Sequence, residues 1–137
     1  MAAGYSGTPL KQKLGLKDGF NVVVVNEPSG FRDLLDTWPD VITFKASLRG
    51  DIDVVVAFVT RQAELRTRRE HLAKAIFPDG AIWVAWPKKA SKVPTDITED
   101  TVRDVFLPHG LVDNKVCAID DTWSSLRVVW RKEKRTR

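Results

Sequence analysis

The stretch of sequence that decides the fold runs Asn21-Val22-Val23-Val24-Val25-Asn26-Glu27-Pro28-Ser29-Gly30-Phe31. Four consecutive valines are typical of a central strand in a parallel sheet, buried on both faces. In α/β proteins that bind nucleotide cofactors, the following turn carries several glycines, which let backbone N–H groups approach a phosphate or a sugar. Here the turn has one glycine, Gly30, together with Pro28 and the anionic Glu27. The sequence therefore predicts a nucleotide-binding type of fold without the usual nucleotide-binding loop.

The length and composition predict one globular domain over residues 1–130, followed by a short tail. A hydrophobic content of 43% and a charged content of 29% are ordinary for such a domain. No apolar run approaches the roughly 20 residues that cross a bilayer, and the first residues lack the pattern of a secretory signal. The single cysteine, Cys117, excludes an internal disulfide. We therefore expect a cytoplasmic protein that does not enter a membrane.

The net charge of +4 is concentrated at one end of the sequence. Residues 131–137 are strongly basic, whereas residues 1–130 contain equal numbers of basic and acidic side chains. This distribution predicts a neutral body and a mobile basic tail. A solubilising role is the simpler interpretation of the tail, and contact with nucleic acid is expected only through residues 131–137.

Strands and helices alternate along the chain. Strands are predicted at residues 21–26, 41–45, 53–59, 81–86, 112–119 and 125–130, and helices at residues 9–14, 31–36, 61–77 and from about 98 to 107. Thr60 is expected to cap the long third helix, and Asp96 or Thr98 the fourth. Residues 120–124 are too few for a parallel crossover, so the last two strands must be antiparallel.

This layout resembles two families. Leu16-Lys17-Asp18-Gly19 before strand 1, Phe77-Pro78-Asp79-Gly80 before strand 4 and a final strand pair after Leu111 are similar to class I S-adenosylmethionine-dependent methyltransferases. That resemblance implies a three-layer Rossmann-like sheet of order 2-1-3-4-6-5, with the last strand antiparallel. The segments 4–10, 83–89 and 110–123 look like a small bacterial family of unknown function, which implies the same fold and no assigned activity.

The chain departs from the methyltransferase pattern at two functional positions. The acidic-x-Gly-x-Gly turn is missing near Asn26, and Lys45-Ala46-Ser47 stands where an acidic residue should bind the ribose hydroxyls. These departures predict no cofactor, S-adenosylmethionine included. The leading hypothesis is thus a non-catalytic binding or regulatory module, which argues against an enzyme. The alternative is a transferase, a degenerate methyltransferase that acts on an unknown small molecule.

The candidate binding site lies at the carboxyl ends of the strands, where open α/β sheets bind their ligands. The candidate ligand-binding residues are Glu27, Ser29, Gly30, Thr60, Arg61, Trp86, Lys88, Lys89 and Trp123. The cluster of lysines predicts a small anionic ligand, and the tryptophans would stack on a flat ligand or on a protein partner. The alternatives are an ion pair between loops for Glu27 and the lysines, and a core position for the tryptophans. No metal site is expected, because His71, His109 and Cys117 are far apart in the sequence.

Overall fold

The computed structural model describes residues 8–35 and 42–136, and their strands form one six-stranded sheet of order β2-β1-β3-β4-β6-β5. The strands are β1 (Asn21–Val25), β2 (Thr43–Lys45), β3 (Val54–Phe58), β4 (Ala81–Pro87), β5 (Leu111–Ala118) and β6 (Trp123–Trp130). Neighbouring strands from β2 to β4 are parallel, and β6 is antiparallel to both β4 and β5. The predicted fold class and strand order are confirmed.

Four α-helices flank this sheet in the described residues: α1 (Leu10–Lys13), α2 (Phe31–Leu35), α3 (Gln62–Ile76) and α4 (Glu99–Phe106). Short 3₁₀ turns lie at Lys89–Ser91, Leu107–His109 and Lys132–Lys134. Four features considered in the sequence fall outside the described residues: the segment 4–7, the Trp38-Pro39 helix end, Val41 and Arg137.

Two hydrophobic cores lie on opposite faces of the sheet. Helices α3 and α4 cover one face, and α1 and α2 cover the other. Successive side chains of a strand point to opposite faces, so a strand between two helical layers needs apolar residues throughout. Strand β3 meets this requirement, since all five of its residues are buried. Residues 53–59, predicted as a strand, thus contain a central strand of the sheet.

Strand β1 is covered less completely than the four valines suggest. Val22 and Val23 are buried, whereas Val24 and Val25 are partly exposed. The reason is the short neighbour β2, whose last residue Lys45 pairs with Val23. Beyond that point β1 has a strand partner only on the β3 side among the described residues.

The caps of α3 and α4 come from one loop. Thr98 caps α4 in a reciprocal capping box with Thr101. Helix α3 begins after Arg61, and its first N–H, from Gln62, donates to Asp96 Oδ1 at 2.7 Å. The expected cap from Thr60 is therefore wrong. A carboxylate distant in sequence takes that role, and it is well placed at the positive end of the helix dipole.

Candidate functional site

The sheet has a topological switch point between β1 and β3. Helix α2 follows β1 and packs on one face, whereas α3 follows β3 and packs on the other. The two strands are parallel neighbours, so their following segments diverge at the carboxyl ends and open a crevice there. Open α/β sheets bind their ligands at such a crevice.

The turn that enters this crevice, residues 26–30, has a left-handed residue at each end. Asn26 has φ 55° and Gly30 has φ 83°. Asparagine tolerates this conformation better than most side-chain-bearing residues, so Asn26 occupies a backbone position that glycine often takes. A Cβ added at Gly30 would have no heavy atom within 4 Å. The turn thus presents its backbone to open space.

The Asn26 side chain fixes the turn to β3 and α3. Its Nδ2 donates to the Phe58 carbonyl oxygen at 3.0 Å and to Glu64 Oε2 at 2.9 Å. Glu64 also accepts from Arg68 Nε at 3.0 Å. The hydrogen bond from Asn26, with help from the Arg68 cation, holds the pKa of Glu64 below its ordinary value although partial burial opposes this. These hydrogen bonds fix the turn 26–30 to β3 and α3 at the base of the crevice.

An aromatic groove lies on the α2 side of the turn, with a volume of about 250 Å³. It is lined by Pro28, Ser29, Gly30, Phe31, Leu34, Phe58, Ile119, Asp120 and Trp123. The Phe58 ring makes edge-to-face contacts with the rings of Phe31 and Trp123, each at a centroid distance of 5.0 Å. Asp120 Oδ1 accepts the backbone N–H of Trp123 at 2.8 Å and so holds that end of the groove.

The structure divides the predicted site residues into two groups. Ser29, Gly30 and Trp123 line the aromatic groove. Thr60, Arg61, Lys88 and Lys89 follow the carboxyl ends of β3 and β4, on the same edge of the sheet but outside the groove lining.

The two remaining predicted site residues, Glu27 and Trp86, make contacts within the fold. Glu27 forms an ion pair with Arg32 at 3.0 Å. Trp86 is only 7% exposed and packs in the core beneath α3 and α4.

Three residues that shape the site are not among the predicted ligand-binding residues: Asn26, Phe58 and Asp120. Asn26 carries the one signal that was available, because an asparagine directly after a buried strand is typical of a left-handed turn position. Phe58 and Asp120 enter the groove from segments distant in sequence, and no local pattern marks them.

In residues 8–35 and 42–136, no three His, Cys, Asp or Glu side chains cluster closely enough to hold a metal ion. None of the helices there has the length and apolar character needed to span a bilayer.

Comparison with known proteins gives structural neighbours alone. No family profile and no curated protein matches the chain. An S-adenosylmethionine-dependent methyltransferase from Aquifex aeolicus matches with TM-score 0.60 and 14% identity, over 88% of this chain and 87% of that one. Magnesium protoporphyrin IX methyltransferase from Synechocystis PCC 6803, with bound S-adenosylmethionine, matches with TM-score 0.56 and 12% identity, over 85% and 72%.

A protein of the NADB-Rossmann superfamily from Streptococcus agalactiae matches with TM-score 0.54 and 9% identity, over 95% of this chain and 70% of that one. Identities this low show a shared fold. The structural neighbours are thus class I S-adenosylmethionine-dependent methyltransferases and related Rossmann-superfamily proteins.

These neighbours overturn three predictions: the non-catalytic module, the argument against an enzyme and the absence of a cofactor. The matching folds include those of S-adenosylmethionine-dependent methyltransferases, and one of these enzymes was crystallised both with S-adenosylmethionine and with its demethylated product. The prediction of no cofactor rested on the count of glycines in the turn and on the missing acidic residue at the end of strand 2. Asn26 supplies a left-handed position that such a count does not include.

The residues at the crevice fit the sulfonium and a flat part of S-adenosylmethionine, but they do not supply the usual partner of its ribose. The open turn 26–30 and the aromatic groove suit a ligand that is partly flat and carries a positive sulfonium, since cations are attracted to aromatic rings. The ribose-binding carboxylate has no counterpart at the end of β2. That strand stops opposite Val23, and Lys45 Nζ turns to the Arg49 carbonyl oxygen at 2.6 Å.

The Asn26–Glu64 contact leads to a prediction about pH. Because the pKa of Glu64 is lowered in the folded protein, its contribution to stability is present above the ordinary carboxyl pKa and is lost as the pH falls through the folded value. We expect Glu64→Gln to be less stable than wild type at pH 7 and the difference to shrink below about pH 4. Urea melts from pH 3 to pH 7 measure it. A difference in unfolding free energy between wild type and Glu64→Gln that stays constant from pH 3 to pH 7 would contradict the lowered pKa of Glu64.

Proposed function

We propose that this chain is an S-adenosylmethionine-dependent methyltransferase whose cofactor lies over the turn 26–30. One observation carries the proposal: the crevice between β1 and β3 begins at a turn with left-handed residues at both ends and opens onto an aromatic groove. The structural neighbours support it, since their fold is that of this enzyme class.

The roles of the site residues follow from their chemistry. When bound, S-adenosylmethionine supplies a methyl group on a positively charged sulfur. The partly exposed ring of Trp123, backed by the buried rings of Phe58 and Phe31, offers an apolar, electron-rich wall that excludes water and favours such a charge. The turn 26–30 offers its uncovered backbone, and Asn26 holds that turn in place through β3 and α3.

We further propose that the methyl acceptor is a small anionic molecule. Arg61, Lys88 and Lys89 follow β3 and β4 on the edge of the sheet that also carries the groove, and their positive charges attract an anion. Glu27 offsets this field little, because it is paired with Arg32. A protein substrate is the second partner consistent with this edge.

Two other sequence-based expectations remain proposals. Similarity of the segments 4–10, 83–89 and 110–123 supports membership in a small bacterial family. A cytoplasmic location is supported by the single cysteine, Cys117, which burial keeps protonated by raising its pKa.

Thermal shift and calorimetry with S-adenosylmethionine and its demethylated product test the cofactor. Ligand at about 100 times its Kd stabilises a protein by about 2.7 kcal/mol. We expect both compounds to raise the melting temperature, and NAD and ATP to have no effect. A shift with NAD or ATP alone would reject the methyltransferase and favour another Rossmann ligand.

A matched pair of asparagine variants tests the position of the cofactor. Gly30→Asn keeps a residue that tolerates positive φ and places a side chain in the open space above the turn. We expect it to weaken S-adenosylmethionine binding at least tenfold. Gly19→Asn is the control, since Gly19 has φ 85° and equally open surroundings but lies at the other end of β1. Equal affinities of the two variants would place the cofactor elsewhere.

A further inference from the structure

Three basic side chains from distant segments form what we call the cationic patch: Lys115, Arg127 and Arg135. On β6, Leu126 and Val128 point into the core beneath α3 and α4, so Arg127 points to the opposite face of the sheet. Lys115 on β5 pairs with Arg127 across the strands and therefore shares that face.

A hollow of about 310 Å³ lies beside these residues. Its described lining contains three cations and no acidic residue: Lys13, Leu14, Gly15, Trp83, Asn114, Lys115 and Arg127. Lys115 Nζ donates to the Lys13 carbonyl oxygen at 3.3 Å, which joins the β5–β6 hairpin to α1. The charge of the hollow is thus of one sign.

Among the residues that the structure describes, Arg127 has no anionic partner in this hollow. It is partly buried, and its Nη1 donates to the neutral Asn114 Oδ1 at 3.2 Å. No carboxylate of the described residues forms an ion pair with Lys115, Arg127 or Arg135. Burial, with a smaller effect from the Arg135 charge, lowers the pKa of Arg127. A partly desolvated guanidinium gains free energy when an anion pairs with it.

The basic tail extends this patch. Arg135 Nε donates to the Trp130 carbonyl oxygen at 2.9 Å, and Arg131 N–H donates to the Gly110 carbonyl oxygen at 3.0 Å. The described part of the tail therefore packs on the end of β6. Its positive charges add to those of Lys115 and Arg127 on a folded surface, in the distribution typical of polyanion binders.

We propose that the cationic patch binds the phosphate backbone of a nucleic-acid duplex. Arginine and lysine spread over one face match a row of phosphates, and the guanidinium fork suits phosphate oxygens. A single strand is less suited, because proteins bind it by stacking bases on exposed aromatic rings. Trp83, the aromatic residue of the hollow, is 0% exposed. The patch shares no lining residue with the aromatic groove, so this inference is independent of the proposed methyltransferase activity.

Fluorescence anisotropy with labelled 20-base-pair DNA and RNA duplexes tests the patch, with the single strands and ATP as further probes. We expect duplex binding that is not displaced by millimolar ATP. With three phosphate contacts at about −0.9 each, affinity should fall about 40-fold between 50 and 200 mM salt. Lys115→Gln/Arg127→Gln should bind more weakly and lose only about 3.5-fold over the same range.

The control variant is Arg66→Gln/Lys74→Gln, which removes the same charge from α3. Arg66 and Lys74 are exposed and bond to residues of their own helix. We expect it to bind duplex like wild type, and circular dichroism melts check that both variants fold. The proposal is overturned if the two variants lose affinity equally, if single strands bind better than duplexes, or if ATP alone binds.

Discussion

Val56→Asp should not fold. Val56 is 0% exposed in the central strand, with Val24 of β1 and Trp83 of β4 as its neighbours in the sheet. A carboxylate there would be shielded from solvent among apolar side chains, and leaving a buried charge unpaired costs several kcal/mol. Total stabilities of small domains are about 5–15 kcal/mol, so the variant should lose its cooperative transition. Expression tests and circular dichroism melts measure this.

The matched control is Thr43→Asp, which places the same carboxylate at the exposed first residue of β2. It should remain folded, with a change within about 0.5 kcal/mol as for other surface substitutions. A Val56→Asp variant that melts cooperatively near the wild-type temperature would show that β3 is not the centre of the sheet.

Trp83→Ala should give the second largest effect, a loss of about 3–5 kcal/mol. The Trp83 side chain is 0% exposed, and its Nε1 donates to the Leu14 carbonyl oxygen at 2.8 Å. Truncation leaves a large cavity under α1 and a buried carbonyl without its donor. Urea unfolding, with a check that the m-value is unchanged, measures the loss.

Two variants separate the cavity from the hydrogen bond. Trp83→Phe keeps most of the volume but removes the N–H, and should cost about 1–3 kcal/mol. Trp130→Ala removes a similar contact, since Trp130 Nε1 donates to the Ala73 carbonyl oxygen at 2.8 Å, but from a partly buried site. We expect it to cost less than Trp83→Ala. If Trp130→Ala cost more than Trp83→Ala, the contacts on the α3 face would contribute more to the free energy of unfolding than those on the α1 face.

Most of the fold follows from local patterns. The valines of β1 and the apolar run of β3 predict buried parallel strands, and the short link 120–124 predicts the antiparallel pair. These signals work because burial on two faces and loop length act through neighbouring residues.

The site was harder to predict because its geometry comes from residues distant in sequence. Asp96 caps α3, and Asn26 holds the turn through Phe58 and Glu64. Neither contact has a local pattern. Asn26 adopts a left-handed conformation that a count of glycines does not include. Strand β2 is short and ends opposite Val23, so it does not reach the position where a ribose-binding residue was expected.

The insertion of β6 between β4 and β5 has a consequence for biosynthesis. Strand β4 is buried at every position, yet its second neighbour is the last strand to be made. At about 5–20 residues per second, the ribosome finishes β4 seconds before β6 emerges. During that interval the nascent chain exposes a long apolar strand edge, the kind of surface that chaperones protect from aggregation. The apolar edge of β4 therefore remains open to misassembly until β6 has been made and has paired with it.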